Sequence, residues 1–168
     1  MTTSLDERRE SIAGRVSGKI ALVTGGASGI GRATAILLAE QGARVAVADL
    51  SEADGQEVIR AIESKGGEAF FSRMDVTSEA SVQNTVAQII EKWRCLDVLV
   101  NNAGVAGIQK PIHEVTAKEY DSVMDVNVRG VFHCTKHSIL AMREGGSIIN
   151  LSSIFGLVGG ASVESPYS

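Results

Sequence analysis

The segment TGGASGIG at positions 24–31 has the composition of a loop that binds phosphate. Gly25, Gly29 and Gly31 lack the Cβ atoms that would keep a phosphate away from the backbone N–H groups. The segment follows an apolar run and precedes a helical pattern, so its N–H groups lie at a helix N-terminus, where negative charge is favoured. Its spacing differs from G-x-G-x-x-G, and it lacks the Gly-Lys-Ser/Thr of a Walker loop. Because short glycine motifs are weak signals, a Gly-rich turn without a ligand stays open as an alternative.

Asp49 is a second, independent signal, 18 residues beyond Gly31 at the end of the next apolar run. A carboxylate at that place can accept hydrogen bonds from both ribose hydroxyls of an adenosine. It would repel a 2′-phosphate, so the sequence favours NAD over NADP. A solvated acid at a strand end is the less favoured alternative.

Ser28 suggests a hydrolase, because it lies on the same strand-to-helix turn. A nucleophile elbow requires the pattern G-x-S-x-G, and the final glycine is replaced here by Ile30. We therefore disfavour a hydrolase.

Apolar runs alternate with helical patterns along the chain, which predicts an α/β domain. Strands are expected at 19–24, 43–49, within 68–76, at 96–101 and at 147–153, and helices at 30–41, 51–65, 78–93 and 116–143. The motifs at 51–54 and 116–119 predict capping boxes at the starts of two of these helices. The strands are short and apolar on both faces, which is typical of a parallel sheet buried between two helix layers. We therefore predict a Rossmann-type, doubly wound fold.

Composition excludes several classes of protein. The chain has 168 residues and a net charge of −4, so it lacks the basic surface of a nucleic-acid-binding protein. No apolar run approaches the length of a membrane span. We interpret 1–17 as a polar extension without the apolar core of a signal peptide, and 18–168 as one nucleotide-binding domain. The two cysteines give no disulfide framework, so the expected location is the cytoplasm.

Several motifs, taken in order, resemble those of the short-chain dehydrogenase/reductase family. They are the glycine loop at 24–31, Asp75-Val76, the NNAG of Asn101 to Gly104, Asn127 in DVNVRGVF, Ser153 in NLSSIFG, and Tyr167 in ESPYS. The resemblance implies cofactor contacts at Gly25, Ser28, Gly29, Ile30, Gly31, Asp49, Leu50, Asp75, Val76, Asn102, Ala103 and Gly104. It also implies strand order 3-2-1-4-5, with two further strands to follow.

The family's chemistry is hydride transfer between NAD(H) and a secondary alcohol or a ketone. By resemblance, Tyr167 is the general acid/base, Ser153 hydrogen-bonds the substrate oxygen, and Asn127 holds a water in a proton relay. No metal is implied. The resemblance further implies a homo-oligomer, a dimer or a tetramer, that packs through the long helix at 118–143.

The family's Y-x-x-x-K motif would place a lysine at position 171, beyond Ser168. We therefore expect an N-terminal fragment of a longer enzyme, with negligible turnover by itself. We also expect poor solubility, because the fifth strand would expose Ile148, Ile149 and Leu151 at a sheet edge. Two alternatives stay open: a non-catalytic nucleotide-binding module, and an NADPH-dependent 3-ketoacyl reductase of the same family.

His133 and His137 are spaced i, i+4 on the long helix, as in some zinc sites. Cys134 replaces the glutamate of H-E-x-x-H and no third ligand is evident, so we disfavour a metal. We expect both histidines on an exposed or subunit-facing helix surface. Cys95 has no base near it in the sequence, so it is interpreted as a structural or exposed thiol.

Overall fold

The computed structural model describes residues 14–107 and 110–153. Their strands form one parallel sheet in the order β3-β2-β1-β4-β5, which confirms the predicted topology. The strands are β1 Ile20–Thr24, β2 Arg44–Asp49, β3 Ala69–Arg73, β4 Val98–Asn101 and β5 Ser147–Asn150. In this order the connections leaving β1 and β4 run in opposite directions. The carboxyl ends of these two neighbouring strands therefore border a crevice, where ligands bind in open α/β sheets.

The helices cover both faces of the sheet. They are α1 Gly29–Glu40, α2 Glu52–Glu63, α3 Glu79–Trp93, α4 Ala117–Met124 and α5 Val131–Ala141, with a π-helical turn at Asp125–Gly130 between α4 and α5. A short 3₁₀ turn occupies Ile112–Glu114. Among the described residues, no helix is long and apolar enough to cross a membrane.

Strand alternation divides the core into two layers, because successive side chains point to opposite faces of a sheet. In β1, Ile20 and Leu22 pack with residues of α3 and α5. Ala21 and Val23 pack on the other face, with residues of α1 and α2. All five residues of β1 are buried, so its apolar sequence is explained by burial on both faces.

One of the two predicted capping boxes is confirmed. Thr116 accepts from the backbone N–H of Glu119, whose carboxylate accepts from the N–H of Thr116. The box predicted at the start of α2 is wrong. Ser51 is the N-cap, but its hydroxyl donates to Asp54 and makes no capping hydrogen bond. The N–H group that the box requires donates instead to Asp49.

The single long helix predicted to about 143 is also wrong in detail. It ends at Ala141, and the π-helical turn interrupts it. The fifth strand ends at Asn150, three residues earlier than expected. Unlike β1, β5 is mostly exposed, because among the described strands it pairs only with β4.

Candidate active site

The glycine loop after β1 is held in place by Asn102, which follows β4. Its side-chain amide donates to the carbonyl oxygens of Thr24 (2.9 Å) and Gly25 (3.0 Å). In return, the Thr24 hydroxyl oxygen accepts from the backbone N–H groups of Asn102 and Ala103, each at 3.0 Å. Four hydrogen bonds thus join the carboxyl ends of two neighbouring strands and fix the start of the loop.

Asp49, at the end of β2, holds the far side of the same loop. Oδ2 accepts from the N–H of Ala27 at 3.0 Å, and Oδ1 accepts from the N–H of Ser51 at 3.2 Å. Each carboxylate oxygen has a second lone pair, so both can still accept a hydroxyl hydrogen bond from a ligand. The carboxylate is half-buried, with its position fixed by two backbone donors from different segments.

A groove of about 550 Å³ runs along these strand ends. It is lined by the residues expected to contact the cofactor, with the exception of Gly31: Gly25, Ser28, Gly29, Ile30, Asp49, Leu50, Asp75, Val76, Asn102, Ala103 and Gly104. The groove also includes Met74, Val105 and Val126, which the sequence did not single out. Residues from four separate loops are therefore brought to one surface.

Gly31 lies behind the groove and explains the close packing of the loop. A Cβ atom at this position would overlap the carbonyl oxygen of Gly25 and the side-chain amide of Asn102. Gly29, by contrast, adopts a φ of +50° and has nothing within 4 Å of the place a Cβ would occupy. The N-cap of α1, Ser28, makes no side-chain capping bond. The open space at this helix N-terminus fits an anionic phosphate, and the carboxylate of Asp49 fits a ribose.

A second cavity of about 340 Å³ adjoins the groove, and the two share Ile30 and the segment 102–105. Asn127 and Ser153 both line this cavity. The structure therefore brings together two of the three residues expected to act on the substrate. Tyr167, the third, lies outside the described residues.

Asn127 sits in the middle of the π-helical turn. Such turns add a residue to a helix and are frequent at functional sites. Its side-chain amide donates to the carbonyl oxygen of Val105 (2.9 Å), and its Oδ1 accepts from the N–H of the same residue (2.9 Å). Asn127 thereby anchors the loop after β4, a contact that the sequence did not predict.

The expected surface position of the two histidines is wrong. His133 is only 7% exposed, and its Nδ1 lies 3.1 Å from the carbonyl oxygen of Val76. His137 has an 11% exposed side chain and hydrogen-bonds the carboxylate of Glu79 at 2.8 Å. His133 thus contacts the β3–α3 connection and His137 contacts the first residue of α3, because both segments lie beside α5.

The chemistry of the cysteines is restricted by burial. Cys134 is 1% exposed, and burial raises the pKa of its thiol to about 12, so it is not a nucleophile near neutral pH. Cys95 is half-buried, next to the core. Within residues 14–107 and 110–153, no three His, Cys, Asp or Glu side chains are grouped as a metal site would require.

Sequence reasoning missed three positions that shape the site. Thr24 was visible in the glycine motif, but its hydroxyl partners are backbone groups from β4. Val105 was not singled out, and His133 was considered only as a metal ligand. Neither contact has a signal in the sequence, because Val105 bonds Asn127 through its own main chain and His133 bonds the main chain of Val76.

Comparison with known proteins gives one family over most of the chain. A family model described as short chain dehydrogenase matches residues 19–168. Among curated relatives, the chain is 44% identical over 147 residues to 2,5-dichloro-2,5-cyclohexadiene-1,4-diol dehydrogenase of Sphingobium indicum, covering 86% of this chain and 58% of the relative. It is 43% identical over 148 residues to cyclopentanol dehydrogenase of a Comamonas species, covering 87% of this chain and 59% of the relative.

Among solved structures, a crystal structure of NAD⁺-bound xylitol dehydrogenase superposes with a TM-score of 0.87 at 34% identity. The match covers 91% of this chain and 59% of that one. The chain thus spans a little under three fifths of the length of these relatives. The family match extends over nearly the whole sequence, and the structure has the sheet order expected for the fold. The chain belongs to the short chain dehydrogenase family.

Proposed function

We propose that the protein is an NAD-dependent oxidoreductase that interconverts a secondary alcohol and a ketone. The observation that carries the proposal is the Asp49 carboxylate. It lines the groove and is fixed by the N–H groups of Ala27 and Ser51, with capacity left for two ribose hydroxyls. A fixed negative charge at that place disfavours a 2′-phosphate, which supports NAD over NADP.

The groove residues would hold the two halves of the dinucleotide. The glycine loop at the α1 N-terminus would bind the pyrophosphate through backbone N–H groups. Asp49 would bind the adenosine ribose, and Asp75 with Val76 would border the base. When bound, a nicotinamide cofactor supplies the hydride acceptor in one direction and the hydride donor in the other.

The residues around the adjoining cavity would handle the substrate oxygen and its proton. Ser153 would hydrogen-bond that oxygen. Tyr167 would accept the hydroxyl proton during oxidation and return it during reduction. A free tyrosine has a pKa of about 10, so this role needs nearby positive charge, as the family's lysine after the tyrosine would provide. The side-chain amide of Asn127 donates to the carbonyl oxygen of Val105, and its Oδ1 accepts from the N–H of the same residue. The second lone pair of Oδ1 would accept a hydrogen bond from a water in the proposed relay.

The substrate class is proposed from two of the relatives. The Sphingobium and Comamonas enzymes are named for the oxidation of ring alcohols. We extend this chemistry to the present protein as a secondary alcohol on a small ring. We also propose a cytoplasmic, homo-oligomeric enzyme, for which sedimentation of the purified protein is the test of assembly.

Calorimetric titration of the chain with NAD⁺ and with NADP⁺ tests the cofactor. We expect NAD⁺ to bind at least tenfold more tightly, a difference of about 1.4 kcal/mol. Preference for NADP⁺ would favour the 3-ketoacyl reductase, and binding of neither nucleotide would overturn the proposal.

Turnover of a cyclic secondary alcohol is then followed by the absorbance of the reduced nicotinamide. The longest form of the protein that the gene encodes is used, because we expect the lysine after Tyr167 to be needed. Nucleotide binding without turnover in that form would identify a non-catalytic module.

A further inference from the structure

The carbonyl oxygen of Val76 is contacted from outside its own loop by His133 of α5. The imidazole is almost completely buried, and its Nδ1 lies 3.1 Å from that oxygen. A carbonyl oxygen can only accept a hydrogen bond, so Nδ1 carries the proton. The same valine is one of the residues that line the groove. A buried donor on α5 is therefore one residue removed from the ligand surface.

Gly130 brings the helix close enough for this contact. A Cβ atom built on Gly130 would lie 2.7 Å from Cγ2 of Val76, which is closer than atoms normally approach. The backbone of the π-helical turn is thus packed directly against the valine, one turn before His133. Gly130, at the end of the π-helical turn, and His133, in α5, therefore both contact Val76.

Asp75 and Val76 form one wall of the groove. Contacts within the β3–α3 connection fix the other polar groups of this wall. Asp75 accepts through Oδ1 from the N–H of Thr77 (2.9 Å) and from its hydroxyl (2.8 Å). The N–H of Asp75 donates to the hydroxyl of Ser81 on α3 at 3.1 Å. The peptide group between Val76 and Thr77 is therefore held at both ends, by Asp75 on its N–H and by His133 on its carbonyl oxygen.

A second link joins the same two elements at the surface. Glu79, the first residue of α3, binds Lys136 at 2.7 Å and His137 at 2.8 Å, both on α5. Glu79, Lys136 and His137 do not line the groove, so α5 contacts the β3–α3 connection at an inner point and the start of α3 at an outer point.

The wall formed by Asp75 and Val76 lies on the β3 side of the groove that Asp49 also lines. Asp49 and Arg73 are neighbours in the β2–β3 ladder, so the wall begins two residues beyond the position that pairs with Asp49. The base of an adenosine whose ribose binds Asp49 would extend along the groove to this wall.

We propose that His133 is a positioning residue for adenosine binding, because its hydrogen bond to the Val76 carbonyl sets the place of the Asp75–Val76 wall. The inference rests on the proposed function, since it requires that the groove bind an adenine nucleotide. It assigns His133 no contact with the ligand. It also gives a role to a polar side chain that lies buried beside the apolar core residues of α5.

The test compares His133→Leu with His133→Asn in the full chain. Asparagine can present its amide nitrogen near the place of Nδ1 and keep the hydrogen bond, whereas leucine fills the space without a donor. We expect His133→Leu to weaken binding of ADP-ribose about fivefold to tenfold, the loss typical of one hydrogen bond. His133→Asn should stay within about twofold of the wild type on the same scale.

Two readouts separate positioning from general stability. Binding of nicotinamide mononucleotide, followed by ligand-observed NMR, should be unchanged in both variants, because it lacks the adenosine. Hydrogen exchange of the segment 74–81 should accelerate only in His133→Leu. Cys134→Ala is the matched control: it truncates the adjacent buried residue on α5 without removing the donor to Val76.

Three results would overturn the inference: equal ADP-ribose affinity in His133→Leu and the wild type, equal losses for the leucine and asparagine variants, or an equal loss in Cys134→Ala. Failure of the proposed function has a different signature. In that case the wild-type chain itself would bind neither ADP-ribose nor NAD⁺.

Discussion

The two ends of the site differ in how they are held. The proposed nucleotide end, formed by the glycine loop, Asp49 and Asp75, follows β1, β2 and β3. The proposed reaction end, formed by Asn127 and Ser153, lies beside β4 and β5. Every residue of β1 is buried, whereas β5 exposes three of its four residues. The proposed nucleotide end thus extends from the buried central strand β1 to the edge strand β3, and the proposed reaction end lies near the opposite edge, at the exposed strand β5.

This difference shows which contacts each end depends on. At the nucleotide end, each loop is bonded to the end of a neighbouring strand, as Asn102 is to Thr24 and Asp49 to Ala27. At the reaction end, Asn127 reaches from a helical turn to the backbone of Val105, a contact at the protein surface. Substitutions at the nucleotide end should therefore cost more stability and more affinity than substitutions at the reaction end.

The largest effect is expected for Gly31→Val. Any Cβ atom there overlaps Gly25 and Asn102, so the loop must move. Overpacking costs typically about 1–3 kcal/mol of unfolding free energy. We expect the upper end of that range here, because the overlap involves backbone atoms, and we expect nucleotide binding to be lost with it. Urea denaturation and ADP-ribose titration provide the measurements. Gly29→Ala is the control for stability alone, because its Cβ meets no protein atom and it should lose about 1 kcal/mol of unfolding free energy from its positive φ. Similar losses of unfolding free energy in both variants would contradict this account of the loop.

The next largest effect is expected for Asp49→Asn, which removes the charge that two backbone N–H groups hold in place. Hydrogen bonds to charged groups contribute about 1.5–3 kcal/mol, so ADP-ribose should bind about tenfold to a hundredfold more weakly. Discrimination against 2′-phospho-ADP-ribose should disappear as well. Asp54→Asn makes the same change of charge on α2, at a carboxylate bonded to Ser51 that does not line the groove. If Asp54→Asn had the same effect, net charge rather than the groove carboxylate would be responsible.

A smaller effect is expected at the reaction end, for Asn127→Ala. The variant loses both hydrogen bonds to Val105, which is worth about 1–2 kcal/mol of unfolding free energy. Asn127→Asp keeps the acceptor and loses the donor, so its loss should be intermediate. Thermal unfolding and hydrogen exchange at Val105 are the measurements. Ser122→Ala, which removes one hydroxyl bond within α4, serves as the control and should leave exchange at Val105 unchanged.

The smallest effect concerns acid stability at the outer link between α3 and α5. The Lys136 ammonium, with His137, lowers the pKa of Glu79 from 4.5 to about 2. A carboxyl group with a lowered pKa in the folded state stabilises the protein above its unfolded pKa. That contribution is lost as the pH falls from about 4.5 towards about 2. Glu79→Gln should therefore flatten the pH dependence of unfolding in this window.

Glu119→Gln, in the capping box of α4, is the matched variant. Lys110 and the capping contacts of Thr116 also lower the pKa of Glu119 to about 2, so the stability profiles of both variants should flatten in the same window. Only Glu79→Gln should speed hydrogen exchange in the β3–α3 connection. An unchanged acid profile in Glu79→Gln would show that the link does not stabilise the fold.

The predictable part of the structure consists of features with local or periodic signals. Alternating apolar runs gave the strands of the sheet, and the glycines of 24–31 indicated the loop before α1. The position of Asp49 at the end of the second apolar run indicated a ribose contact. The resemblance to the family then implied the strand order and pointed to Asn102. Ser51 shows the limit of such signals: its motif predicts a capping box, but Asp49 accepts the hydrogen bond that the box needs. That competition depends on the position of a neighbouring strand end.

The sequence by itself determined the fold class, the family and the loop at which a nucleotide is proposed to bind. It could do so because apolar runs and the spacing of motif residues are local patterns in the sequence. Only the tertiary structure decided that His133 is buried against Val76, 57 residues away, and that Asn127 lies in a π-helical turn bonded to Val105. The physical reason is the same in both cases. The partner is a main-chain group, which every residue possesses, so no residue type or spacing in the sequence marks it.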